Sequence, residues 1–275
     1  MKHFFKMLLV VNALFTIVLI SNVFACTTII VGKDASSDGS AFFGRSDDCS
    51  ELSDVIFKSV PASNESGSFI YEDESTKLRV ELPKKMYQYF FAPEEGTISK
   101  GDWGEVGSNE MGVCMTATES LRANEEALKY DPYVKNGVAE SNIIRLIIPY
   151  VKTAREGVKR LGDMVEKYGS AESNAVVFSD NDEIWYMEIY TGHQWIAVKC
   201  PDDKYAVIAN DAILGYVDIN DAENVIACKT IYSLPKEKGF LKYIDGKENL
   251  ALTYNADLRS YSQIRLWASR RFFSD

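Results

Sequence analysis

Histidine is nearly absent: the 275 residues contain two, His3 and His193. A His-rich zinc site is thereby excluded, and a Cys–His or Ser–His dyad has only His193 to draw on once the N-terminal segment is set aside. No G-x-S-x-G nucleophile elbow occurs. The five cysteines, Cys26, Cys49, Cys114, Cys200 and Cys228, match no metal-ligand spacing and are too sparse for a disulfide scaffold. A Cys200–Cys228 pair is left open, and Cys114, within the apolar run GVCMTAT, reads as a buried small hydrophobe. Positive charge is also scarce. With residues 1–25 removed, 28 basic residues (30 less Lys2 and Lys6) face 40 acidic ones, a net charge of −12. Such a chain repels phosphate backbones, so nucleic acid is not an expected partner.

What the sequence does have begins at its N-terminus. Residues 1–25 place Lys2 and Lys6 before an apolar stretch from Met7 to Ile20, and Val23 and Ala25 are small residues where a signal peptidase reads. The stretch is shorter than the roughly 20 residues of a stable span. We therefore expect a signal peptide over 1–25, export of residues 26–275 to a secreted or periplasmic location, and no membrane attachment after cleavage.

The remaining 250 residues, 26–275, suit one large domain or two small ones. CTTIIVGKD and SAFFGRS, separated by a turn at Ser37–Gly39, predict a hairpin starting at residue 26. Several short strands are expected over 51–91, and WGEVGSNEMGVCMTAT predicts strand, turn, strand, with Asn109 in the turn. Apolar residues recur at helical spacing over 141–168, interrupted at Pro149, with Thr153 and Glu156 fitting a capping box. NAVVFSD, EIWYMEIYTG, HQWIAVK and YAVIAND read as an antiparallel meander, and 235–248 as surface loop. Strands, then helices, then strands predict an α+β domain with antiparallel sheets.

A nucleophile without a histidine needs another base. Cleavage after Ala25 would give Cys26 one in its own α-amino group, whose ordinary pKa of about 8 lies near working pH. Two other readings of Cys26 are a structural cysteine and the lipid-bearing cysteine of a membrane-anchored binding protein. Against the anchor stand the bulky Phe24 and the absence of a flexible tether, since TTIIVG enters a strand at once. His193 reads as a turn residue or pocket wall.

CTTIIVGKDASSDGSAFFGRSDD resembles the mature N-terminus of the cysteine dipeptidases of the N-terminal-nucleophile hydrolases, relatives of bile salt hydrolases and penicillin V acylases. The similarity continues in GSNEMGVCMTATES, in YVKTAREGVKRLGDMVEKYG, and in EIWYMEIYTGHQWIAVKCPDD with its following IAND. The resemblance implies a four-layer αββα sandwich, hydrolysis of dipeptides through a thioester on Cys26, small peptide substrates, and no metal or organic cofactor; oligomerisation is left open. By position, Arg45 and Asp48 match the arginine and acid of the nucleophile pocket. Asn109 and Asn210 match asparagines suited to an oxyanion hole. Arg265 corresponds to a further arginine, although Ala268 stands where a second one is expected. An acylase acting on a non-peptide amide is the nearest enzymatic alternative. Dipeptidases of this type run beyond RRFFSD, so the resemblance also implies a short member or a domain lacking its C-terminal part.

Overall fold

A computed structural model describes residues 26–46, 57–93, 104–118, 121–256 and 260–273. Its centre is set by two strands that cannot alternate. NAVVFS forms β9 (Asn174–Ser179) and IWYMEI forms β10 (Ile184–Ile189); all of β10, and all of β9 but Ser179, is buried. A strand buried on both faces needs cover on both, and this sheet has it. The other strands are β1 (Thr27–Val31), β2 (Phe42–Ser46), β3 (Lys58–Val60), β4 (Ser68–Glu72), β5 (Arg79–Pro83), β6 (Tyr89–Pro93), β7 (Gly104–Asn109), β8 (Cys114–Thr118), β11 (Trp195–Lys199), β12 (Tyr205–Ala209), β13 (Val225–Ala227), β14 (Tyr243–Ile244) and β15 (Lys247–Glu248). The helices are α1 (Glu125–Tyr130), α2 (Glu140–Ile147), α3 (Ala154–Tyr168), α4 (Ser233–Lys238), α5 (Leu250–Tyr254) and α6 (Ser260–Phe272).

An eight-stranded antiparallel sheet runs in the order β13-β11-β10-β9-β8-β7-β6-β3, and a three-stranded one runs β12-β1-β2. Helices α2 and α3 cover one face of the large sheet, the small sheet faces β9 on the other side through β2, and α6 packs on β12. The layers are therefore helix, sheet, sheet, helix, an α+β arrangement. The approach of α3 to the sheet depends on glycine. A Cβ on Gly157 would lie 2.6 Å from Phe178, and one on Gly162 would lie 2.1 Å from Trp195. Among the described residues, no helix is long and apolar enough to cross a membrane.

The predicted hairpin from residue 26 is present as β1 and β2, and the strand–turn–strand over 103–118 as β7 and β8. The helical run divides where expected: α2 ends at Ile147, Pro149 lies in a short 3-10 turn, and α3 starts after Thr153, whose hydroxyl accepts from Glu156 N. Two readings are corrected. YAVIAND is not a fourth meander strand, because β12 leaves β11 and pairs with β1 in the other sheet. The segment 235–248 is not plain loop. Helix α4 occupies its start and the β14–β15 hairpin its end, joined at Asp245 and Gly246, both at positive φ. Cys200 and Cys228 are free thiols.

Candidate active site

Strand alternation decides what surrounds Cys26. In β1, Thr28 and Ile30 are buried and face the large sheet, whereas Thr27 and Ile29 are partly exposed and face the α6 side. The register sets Arg45 opposite Thr28 and Phe43 opposite Ile30, so Arg45 shares their inward face. Continuing the alternation by two residues puts the Cys26 side chain on that face as well.

The guanidinium of Arg45 enters the space between the sheets. Its Nη2 donates to Cys26 Sγ at 3.1 Å, and its Nη1 donates to the Ala117 carbonyl at 3.3 Å. Nη2 also pairs with the carboxylate of Glu105 on β7. Burial works against the charge on Arg45, but Glu105 and Cys26 outweigh it, and the guanidinium is held above its ordinary range. The contact to the sulfur is thus a hydrogen bond from a charged donor.

Arg265 approaches from the other side. It lies on α6, and its Nη1 donates to the Cys26 carbonyl at 2.7 Å and to Thr27 Oγ1 at 2.7 Å. Its Nη2 donates to Asn210 Oδ1 at 2.7 Å. Asn210 directly follows β12, is buried, and takes a left-handed φ of 38°, a conformation asparagine tolerates better than most residues. With Thr27 opposite Ala209, the next step of the register places Cys26 opposite Asn210. Because Arg265 occupies Oδ1, the NH2 end of that amide is the donor. The loop after Asn210 is anchored from β10: buried Glu188 accepts from Ile213 N at 2.7 Å, from Tyr186 OH at 2.8 Å and from Tyr190 OH at 2.5 Å. Burial pushes this carboxyl upward, against the pull of its donors.

Of the residues singled out in the sequence, Cys26, Arg45, Asn210 and Arg265 therefore converge. Asp48 and Cys49 lie outside the described residues. Asn109 does not join the group. It sits at the far end of β7 from Glu105, four residues or roughly 13 Å along the strand. Its Nδ2 donates to the carbonyls of Ile148 and Val151 at 2.7 and 2.8 Å, and its Oδ1 accepts from Met111 N and Val113 N. That amide closes the β7–β8 turn and ties it to the segment between α2 and α3, so the expected oxyanion role does not fit its position. His193 is a turn residue between β10 and β11. Its Nδ1 lies 2.7 Å from Asp131 Oδ1, and its backbone N–H donates to Asp131 Oδ2 at 2.7 Å. Glu105 was missed in the sequence. A lone acid near the start of a strand of small residues carries no motif, and only the pairing of the two sheets brings it to Arg45.

Residues 25–275 match Peptidase family C69. The chain belongs to peptidase family C69. A probable dipeptidase B of Streptococcus pyogenes serotype M3 is 43% identical to this C69 chain over 242 residues, covering 88% of it and 48% of the relative. A probable dipeptidase of Latilactobacillus sakei is 39% identical over 254 residues, covering 91% and 53% respectively. The C69 chain thus spans about half the length of these curated relatives. Among solved structures, a conjugated bile acid hydrolase from Clostridium perfringens aligns with a TM-score of 0.36 and 14% identity, covering 88% of this chain and 66% of that one.

Proposed function

We propose that this C69 chain is an exported dipeptidase whose nucleophile is Cys26, made N-terminal by cleavage after Ala25. The observation that carries the reading is the Arg45 Nη2 to Cys26 Sγ contact at 3.1 Å, with Arg265 on the carbonyl of the same residue. The names of the C69 relatives, probable dipeptidases, support the substrate class. The basic, then apolar, then small-residue pattern of 1–25 supports export.

In this reaction the Cys26 α-amine takes the thiol proton, and Arg45 stabilises the thiolate. Sulfur attacks the carbonyl carbon of the dipeptide, and the oxyanion of the tetrahedral adduct receives a hydrogen bond from the Asn210 NH2. The adduct collapses by breaking the C–N bond, and the α-ammonium returns its proton to the departing amino acid. Water, deprotonated by the same amine, then cleaves the thioester and releases the second amino acid.

The test is dipeptide hydrolysis by the exported protein, with its N-terminus read by intact mass. Cys26→Ser should lose most activity, and so should a variant processed to leave one extra alanine before Cys26. Iodoacetamide should mark Cys26 ahead of Cys114, Cys200 and Cys228, whose thiols burial pushes up, Cys228 to about 11. Near-normal turnover by either variant would remove Cys26 as an N-terminal nucleophile. A diacylglyceryl mass on Cys26 would favour the anchored binding protein instead.

A further inference from the structure

Arg45 serves two partners with one nitrogen. Nη2 donates to Cys26 Sγ at 3.1 Å and also meets the Glu105 carboxylate, while Nη1 is held by the Ala117 carbonyl at 3.3 Å. Both charged side chains are largely withdrawn from water, 9% exposed for Arg45 and 16% for Glu105, so their fields are weakly screened. The reaction proposed above gives Glu105 no part, yet its carboxylate shares a guanidinium nitrogen with the sulfur. Among the described residues, further charged groups around this point include Glu140 at the start of α2, which acts on Arg45 electrostatically, and Arg265 from α6, which holds the Cys26 carbonyl.

Left unopposed, a buried guanidinium beside a sulfur over-stabilises the thiolate. Over-stabilisation has a kinetic cost, because thiolate nucleophilicity falls as the thiol becomes more acidic. A carboxylate on the same guanidinium does two things. It fixes where the guanidinium points, and it cancels part of the field reaching the sulfur.

We propose that Glu105 is a positioning residue for the nucleophile, holding Arg45 against Cys26 Sγ and offsetting its charge so that the thiolate stays reactive. This rests on the reading of Cys26 as nucleophile. It assigns Glu105 no contact with the substrate.

The test is the pH dependence of iodoacetamide alkylation at Cys26, followed by peptide mass on the purified full chain. Glu105→Gln keeps an acceptor oxygen for Arg45 and removes the charge. Its half-maximal rate should move down by about one pH unit, the lower end of what a neighbouring charge does to an ionisable group. Its plateau rate should fall about threefold, from a Brønsted slope of about 0.4–0.5. Glu105→Asp, which draws the carboxylate back by one methylene, should move the profile the same way by less, and it serves if the glutamine variant does not fold. Profiles of the folded variants that superimpose on the parent, or move upward, would overturn the proposal and leave Glu105 a packing residue. Alkylation needs no substrate, so the two readings fail separately. A chain with the expected profile that cleaves no dipeptide overturns the reaction alone. A chain that cleaves dipeptides with an unmoved profile overturns the role of Glu105 alone.

Discussion

Replacing Arg265 tests whether the main chain of Cys26, the proposed nucleophile, is held separately from its side chain. Arg265→Met keeps much of the aliphatic stem and removes three hydrogen bonds of 2.7 Å, to the Cys26 carbonyl, Thr27 Oγ1 and Asn210 Oδ1. A hydrogen bond to a charged group contributes roughly 1.5–3 kcal/mol, and three bonds sharing one guanidinium do not add, so a total loss of about 3 kcal/mol is reasonable. At about 2–4 °C per kcal/mol for a chain of this size, Tm should fall by about 6–12 °C. The catalytic effect has a different origin. Without Arg265 the Asn210 amide loses the donor that holds its Oδ1, and in the proposed reaction losing one oxyanion donor costs about 10²–10³ in kcat. We expect kcat for dipeptide hydrolysis to fall by about 10²-fold with KM little changed. Arg265→Lys should be intermediate, because an ammonium is a point charge and cannot reproduce the fork that spans Cys26 and Asn210. Asn210→Ala and the Arg265→Met/Asn210→Ala pair should show nearly the same kcat, since one acts through the other. A kcat for Arg265→Met within threefold of the parent, or a double variant whose losses multiply in full, would refute this account.

Three further outcomes follow from neighbouring residues. Asn109→Ala strips partners from two backbone groups in the β7–β8 turn and two between α2 and α3 and should cost about 3 kcal/mol of stability, or about 6–12 °C in Tm, while kcat of the folded chain stays within about twofold; a drop in kcat at unchanged Tm would restore Asn109 to the site. His193→Ala removes the ring contact with Asp131 and keeps the backbone one, and it should keep kcat within about tenfold, because loss of a true general base costs about 10²–10⁴; a larger loss with intact circular dichroism would make His193 the base. Glu188 is protonated more readily in the fold than in the unfolded chain. Its contribution to stability is therefore fullest below about pH 4.3, the ordinary glutamate value, and is lost as pH rises through its higher folded value. Glu188→Gln should remove that slope, so the Tm difference between parent and variant should change with pH over this window and flatten above it. A difference that is constant from pH 4 to 8 would mean that burial does not shift the carboxyl.

The parts of the fold legible in the sequence are those written in local periodicity. The β1–β2 hairpin, the break at Pro149, the Thr153 cap and the meander β9–β10–β11 each depend on residues a few positions apart. Strand β12 was misplaced because its sequence, YAVIA, states only that it is a strand. The choice between β11 and β1 as neighbour is made by packing between the sheets, which no local pattern encodes. The 235–248 segment was missed because Pro235 and two glycines outweigh a six-residue helix and a two-residue hairpin. At the site, resemblance brought in Arg45, Asn210 and Arg265, and the geometry gathers them. The same resemblance brought in Asn109, whose type suits an oxyanion hole but whose amide is consumed by backbone groups 39 and 42 residues away. Residue type alone could not tell a donor aimed at substrate from one aimed at a turn.

The position of the cysteine, one residue before β1, has a geometric consequence. Side chains alternate between faces with a period of two, so the strand directs Cys26 and Thr28 between the sheets and Thr27 toward α6. Arg45 can then reach the sulfur from the interior, while Arg265 reaches the Cys26 carbonyl and the Thr27 hydroxyl from the opposite side. The two arginines do not compete for one atom. One meets the Cys26 sulfur and the other its main chain. A cysteine moved to position 27 would face α6, with Arg45 and Glu105 behind the strand. Thr27 N also accepts its place from β2, donating to Ser46 Oγ at 3.2 Å, so the end of β1 is held on the β2 side as well as by Arg265. The strand pleat thus sends the Cys26 side chain to Arg45 and leaves its carbonyl to Arg265, so the two arginines meet the residue from opposite faces.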